Sequence, residues 1–163
     1  MRRIFIAFAG VLLIWTATSE PAWAKSPTTK LTISGGALAN VIEVIDPQVL
    51  SISSVWGGQF LELSSGVAEQ PPSGLQRYEV WFYTSAPDSQ ARKRYVVYYS
   101  PSVSSGERGY VYLPGKGEAW YSLNVSAMLR DGRDGKWSYA SPAWESLIKA
   151  AIARAEAAPA PHR

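Results

Sequence analysis

The sequence predicts an α+β fold: an antiparallel β-meander with a C-terminal amphipathic helix packed on one face and short strands at the N-terminus. Two observations carry this. Residues 77–84 (RYEVWFYT), 94–100 (RYVVYYS) and 110–113 (YVYL) are dense in aromatic and β-branched side chains, and each run is bounded by Pro, Gly, Ser or Asp. Their connectors are too short for parallel crossovers, which need a dozen or more residues. Further on, Ser141-Pro142 reads as an N-cap with proline at the first helical position. Trp144, Leu147, Ile148, Ala151, Ile152 and Ala155 then recur with the helical period on one face.

A leader comes before the fold. Arg2 and Arg3 precede an uncharged apolar run over 4–15, and Ala22-Trp23-Ala24 sets small residues at the two positions a signal peptidase inspects. This is the pattern of a secretory signal peptide cleaved after Ala24. The run is well short of the ~20 apolar residues that span a bilayer. The expected product is exported, periplasmic or secreted, with no stable membrane anchor after cleavage. Cysteine is absent, which excludes a disulfide framework, a thiol nucleophile and a thiolate metal site. The formal charge is +3, and losing Arg2, Arg3 and Glu20 with the leader leaves +2. That is a statement about solubility and assigns no partner.

A single domain is expected over 25–157, followed by a flexible tail over 158–163. Residues 25–29 read as a polar leader and 30–34 (KLTIS) as a first strand ended by Gly35-Gly36. Residues 41–45 (VIEVI) form a second strand, and Asp46-Pro47 caps and opens a short helix through Leu50. The stretch 53–63, with Trp56 and Phe60, carries no clear period. Residues 64–74 (SSGVAEQPPSG) form a loop by composition. After the three central strands, 119–125 (AWYSLNV) reads as a fourth, and the helix runs from Pro142 to Glu156 or Ala157. Glu145 and Lys149 form an i,i+4 pair on its outer side.

Strand alternation sorts the rings. Tyr110 and Tyr112 share one side, as do Tyr95, Val97 and Tyr99, and as do Tyr78, Val80 and Phe82 opposite Glu79, Trp81 and Tyr83. Both sheet faces are therefore apolar. The helix covers one. The N-terminal strands with Trp56 and Phe60 cover the other, or part of it stays open as a binding surface, for which Tyr and Trp suit by pairing a flat apolar body with a polar tip. Burial is the commoner fate of such rings.

The stretch GYVYLPGKGEAWY (109–121) holds the candidate site. A phosphate loop is excluded, because Lys116 is followed by Gly117 and Glu118 and no glycine stands at the required distance before it. Pro114-Gly115 instead fits the centre of a type II turn, making a hairpin over 114–117 whose rings lie beside those of 94–100. The candidate ligand contacts are Tyr112, Lys116, Glu118, Trp120 and Tyr121. DGRDG (131–135) resembles a calcium loop only superficially. Arg133 takes a ligand position and Pro142 stands where the closing acid belongs, so two Asp-Gly turns explain it better and no metal is expected. The basic run Arg92-Lys93-Arg94, which Arg77 and Arg108 could join, reads as a solvated strand entrance, with contact to an anionic envelope polymer or lipid head group as the lesser alternative. Export argues against nucleic acid.

Catalytic material is sparse. The single histidine, His162, lies in the tail, which excludes a Ser-His-Asp arrangement. Glu43, Glu62, Glu79, Glu107 and Glu118 are available as paired carboxylates, but nothing in their spacing asks for that. Through Tyr112-Leu113-Pro114-Gly115, Gly135-Lys136-Trp137 and Ala143-Trp144, the segment 110–144 resembles the C-terminal half of small exported bacterial proteins with no assigned function. The resemblance is confined to that segment, implies no activity and carries over no functional residue. The sequence thus points to a non-enzymatic binding or envelope-associated module without a cofactor. The sequence identifies no partner, and an envelope glycan, a peptide or another exported protein are the candidates; a small carboxylate-dependent hydrolase of envelope polymers is the alternative function.

Overall fold

A computed structural model describes residues 26–71, 73–85, 91–104, 106–128 and 132–158. The expected leader over 1–24, Asp131 and the tail beyond 158 lie outside them. Six strands make one antiparallel sheet in the order β2-β1-β3-β4-β5-β6. They are β1 (Thr28–Gly35), β2 (Ile42–Val44), β3 (Tyr78–Ser85), β4 (Ala91–Ser100), β5 (Tyr110–Leu113) and β6 (Lys136–Tyr139). The helices are α1 (Pro47–Ser51), α2 (Tyr121–Ala127) and α3 (Pro142–Ala157). The predicted α+β meander with its terminal helix is therefore present. Among the described residues no helix is long and apolar enough to cross a membrane.

One face of the sheet is the core. Leu31 and Ile33 stand beside Phe82 and Val80, and these stand beside Tyr95 and Val97, so alternation aligns the apolar side chains across β1, β3 and β4. α3 lies over this face. Ser141 caps it, its Oγ accepting from Trp144 N at 3.4 Å, and Trp144, Ile148 and Ile152 are buried, with Leu147 only partly so. Trp144 meets Tyr99 edge-on at 5.2 Å and Phe60 at 6.1 Å, and its indole N–H donates to Ser53 Oγ at 3.0 Å. Asp46 caps α1, accepting from Gln48 N at 2.8 Å.

Several expectations are corrected. β1 starts at Thr28 inside the supposed polar leader, because Thr28 Oγ1 donates to Ser53 O at 2.6 Å and the Trp56 indole donates to Ser26 O at 2.9 Å. The N-terminal strands extend the sheet instead of covering its second face, and Phe60 packs on the helix side. Glu145 is no surface partner of Lys149. It is 5% exposed and turns into the 101–109 loop, where Oε1 accepts from Ser102 N (3.0 Å), Ser102 Oγ (2.9 Å) and Tyr99 OH (3.3 Å), and Oε2 accepts from Gly109 N (2.6 Å). Lys149 Nζ donates to Ser102 O at 3.0 Å.

The predicted fourth strand over 119–125 is α2. Continuing the β4–β5 register would set Pro114 opposite Val96, and proline has no N–H to give. Asn124, fully buried, takes that place: Val96 N donates to its Oδ1 and its Nδ2 donates to Val96 O, both at 2.8 Å. A side-chain amide from a helix thus mimics a strand, and tertiary pairing overrides the β-propensity of AWYSLNV. The chain returns as β6, so β5 and β6 form a pair with a helical excursion between them, and the hairpin expected over 114–117 is replaced by a turn leading into α2. The turn is centred on Lys116-Gly117, with Glu118 N donating to Gly115 O at 3.0 Å and Gly117 at φ 90°. Gly115 is small for another reason, since a Cβ there would lie 2.6 Å from Gly135 Cα.

β6, unpredicted, is an edge strand whose outer side is covered. Glu62 N donates to Tyr139 O and Ala68 N to Trp137 O, each at 2.9 Å. Arg133 fastens that cover, donating to Gly66 O and Leu63 O at 2.8 Å and to Ser138 Oγ at 3.1 Å. The arginine that spoils a calcium loop is thus a staple for the sheet edge.

Buried phenols give the fold a pH limit. Burial pushes the Tyr78 phenol up to about 12 from its ordinary 10.0, and its hydrogen bond to Glu156 adds to this. Burial raises Tyr99 as well, with the Glu145 charge beside it. A phenol that ionises later in the folded chain than in the unfolded one contributes stability in full below about pH 10, and that contribution is lost as pH rises through about 12. Denaturant midpoints are expected to fall over that window, and Tyr78→Phe to flatten the fall. A midpoint constant across the window would contradict the burial argument.

Candidate functional site

The second face of the sheet carries the side chains that alternation turns away from the core. In register they form a row: Ser34 of β1, Glu79 of β3, Tyr98 of β4, Tyr112 of β5 and Trp137 of β6. Tyr110 and Tyr139 lie beside the far end of that row, paired across β5 and β6. Ring centroids step from Tyr98 to Tyr112 (6.4 Å), Tyr112 to Trp137 (5.1 Å), Trp137 to Tyr110 (6.4 Å) and Tyr110 to Tyr139 (5.5 Å). All five rings are half-buried. These five stay half-exposed, whereas Val96 and Trp81 on the same face are buried, where α2 packs along β4 and Trp120 meets Trp81.

Charged groups stand on this ladder. The Arg77 guanidinium lies 3.9 Å from the Tyr98 ring centre, 5.7 Å from that of Tyr112 and 5.8 Å from that of Trp137. Arg108 lies 4.0 Å over Tyr139 and donates to Ser65 Oγ at 2.6 Å. Glu118 folds back from its turn so that Tyr112 OH donates to its carboxylate oxygens at 2.9 and 3.0 Å and Gly115 N donates at 2.7 Å. Burial raises the Tyr98 phenol, the Glu79 charge adds to this and the Arg77 charge opposes it. Burial raises Tyr112 as well, and its bond to Glu118 adds to the shift.

A lip of indoles borders the ladder. Trp120 sits at φ 70°, the only described non-glycine residue in the left-handed region. Such a backbone costs about 1–3 kcal/mol and persists only where its surroundings hold it. Here Trp81 meets the Trp120 ring edge-on at 4.5 Å, and the Trp120 indole donates to Glu79 Oε2 at 3.2 Å while the Trp81 indole donates to Glu79 Oε1. Lys93 lies 4.0 Å over Trp81. Held in this way, Trp120 remains 39% exposed.

Of the five predicted contact residues, Tyr112 and Glu118 are bonded to each other, and Trp120 stands on the same face through Glu79 and Trp81. Lys116 is exposed at the turn and Tyr121 is half-buried at the start of α2, and no ring contact joins Tyr121 to the ladder. Sequence reasoning did not assemble Arg77, Glu79, Tyr98, Trp137 and Tyr139 into the site. The alternation in Lys-Trp-Ser-Tyr over 136–139, between an Asp-Gly turn and Ser-Pro, was the available signal for the last two. Arg77 does not join Arg92–Arg94: it precedes β3, whereas Arg92 pairs with Thr84 at the other end of the hairpin.

A recess of about 460 Å³ lined by Ser34, Gly35, Arg77, Glu79 and Tyr98 adjoins the ladder. A larger one, about 840 Å³, lies between β2, α1 and α3. Its charged groups are already engaged: Glu43 with Lys30 at 2.9 Å, Asp46 as the α1 cap, and Arg154 with Ala150 O at 3.2 Å. The ring face is the better candidate on chemistry. Compared with protein-family models, with curated proteins and with solved structures, the chain finds no match.

Proposed function

We propose that the chain is an exported, non-enzymatic binding module whose open sheet face takes an extended glycan of the cell envelope. The observation that carries the reading is the uncovered ladder from Tyr98 to Tyr139, bordered by the strained, exposed Trp120. Flat rings fixed in a sheet desolvate at little cost and lose little rotamer freedom on binding, which suits them to the apolar faces of sugar rings. The export half of the proposal rests on Arg2-Arg3, the apolar run over 4–15 and Ala22-Trp23-Ala24. An exported product whose intact mass does not begin at Lys25 would count against it.

Glycan panels read by intrinsic tryptophan fluorescence test the binding half. Trp137→Ala, in the middle of the ladder, and Trp120→Ala, at its lip, are each expected to weaken binding about tenfold or more, as the loss of a stacking anchor does. Binding that survives both unchanged would move the site elsewhere. A hydrolase remains the second reading because Glu79, paired across strands with Tyr98, and Glu118, bonded to Tyr112, set two carboxylates on one ring-lined surface. Each acid, however, is held by donors of the fold. New reducing ends released from a bound polymer, and abolished by Glu118→Gln, would favour the hydrolase over the module.

A further inference from the structure

We propose that Arg77 is a carboxylate receptor set into the ring ladder, so that the ligand is an acidic glycan, a sugar chain bearing uronic-type carboxylates. The inference rests on the binding reading of this face and adds the class of ligand. The Arg77 guanidinium lies 3.9 Å from the Tyr98 ring centre, with Tyr112 and Trp137 beside it. Stacking occupies the flat face of a guanidinium and leaves its N–H donors pointing outward in the plane. Among the described residues no ion pair or hydrogen bond takes those donors.

The two acids of the face are satisfied elsewhere. Glu79 accepts from the Trp81 and Trp120 indoles, and Glu118 accepts from Tyr112 OH and Gly115 N. An exposed cation is thus held by rings, at the wall of a recess of about 460 Å³, with its hydrogen-bonding edge open to solvent. A carboxylate answers it with two parallel bonds, the geometry that a guanidinium fork matches. Stacked sugar rings and a forked carboxylate together describe a uronic acid chain.

A peptide fits less well. Extended peptides dock by adding a strand to a free sheet edge, and the ladder lies across strand faces. The β6 edge beside it is already bonded to residues 62 and 68.

The test is a fluorescence titration of the protein with a neutral hexose oligomer and with the corresponding uronic acid oligomer of equal length. The uronic acid oligomer is expected to bind about tenfold or more tighter, the scale of a charge-assisted pair. Arg77→Gln should reduce that preference to within about twofold. Arg77→Lys keeps the charge without the fork and should recover only part of the preference.

A preference that persists in Arg77→Gln, or returns in full in Arg77→Lys, would overturn the assignment. Neutral and acidic oligomers binding alike, with both weakened by Trp137→Ala, would sink the acidic ligand and leave the glycan face standing. If neither oligomer binds, both fail. Tighter binding of a peptide with a free terminal carboxylate, or of a single-stranded oligonucleotide, would replace the glycan with that class.

Discussion

Trp144→Ala is expected to destabilise the fold by about 3–5 kcal/mol, the range for truncating a fully buried large aromatic side chain. The indole is 0% exposed and joins three parts of the core. It packs edge-on against Tyr99 of β4, meets Phe60 of the irregular 53–61 segment, and donates to Ser53 Oγ at the end of α1. Alanine would leave a cavity between helix and sheet and take the donor from that serine. Leu147, on the same helix but only partly buried, should cost less when truncated. Urea melts compare the two. A Trp144→Ala change under about 0.5 kcal/mol, the range of surface substitutions, would mean that α3 is peripheral to stability.

Glu145→Ala is expected to cost about 3 kcal/mol or more, because four donors converge on one buried carboxylate and would lose their acceptor together. Two are backbone amides, Ser102 N and Gly109 N, which cannot turn elsewhere. The carboxylate also stands in the first turn of α3, where the helix dipole favours negative charge. Gly109 has to be glycine for the same contact, since a Cβ there would come within 2.5 Å of Glu145 Oε1. Glu145→Gln, which keeps one acceptor oxygen and sets an N–H₂ against donors, should cost less than alanine but more than a surface change. Chemical denaturation gives the energies, and hydrogen exchange at the Gly109 amide gives the local effect. Wild-type stability and protection in Glu145→Gln would contradict the account of this pin.

Those two neighbours on α3 show how far the sequence reaches. Trp144 was legible because burial follows the helical period. Glu145 was not: the same period set it on the outer side, and only the path of the 101–109 loop, which has no periodic signal, brings the donors to it. The central strands were legible from β-branched and aromatic density, whereas α2 was misread for the same reason. AWYSLNV has strand content, and its helical form depends on Pro114 leaving Val96 for Asn124 to satisfy, a long-range match that no local window contains. The site divides in the same way. Tyr112, Glu118 and Trp120 lie within one short stretch of chain and so stand together in a local reading, but Arg77, Tyr98 and Trp137 become neighbours only through strand register. With β6 unrecognised, Trp137 had no place in that register.

The central claim is that ligands bind across the uncovered ring ladder and nowhere else. The tryptophans report on it separately: Trp81, Trp120 and Trp137 border or form the ladder, whereas the Trp56 and Trp144 indoles bond to Ser26 and Ser53 on the core side. Two-dimensional NMR of the indole N–H signals of these five tryptophans during titration with the uronic acid oligomer is the most direct measurement. The account predicts progressive, saturable shifts for Trp137 and Trp120, with Trp56 and Trp144 unmoved. Shifts confined to Trp56 or Trp144, or saturable binding that leaves Trp137 and Trp120 in place, would contradict it.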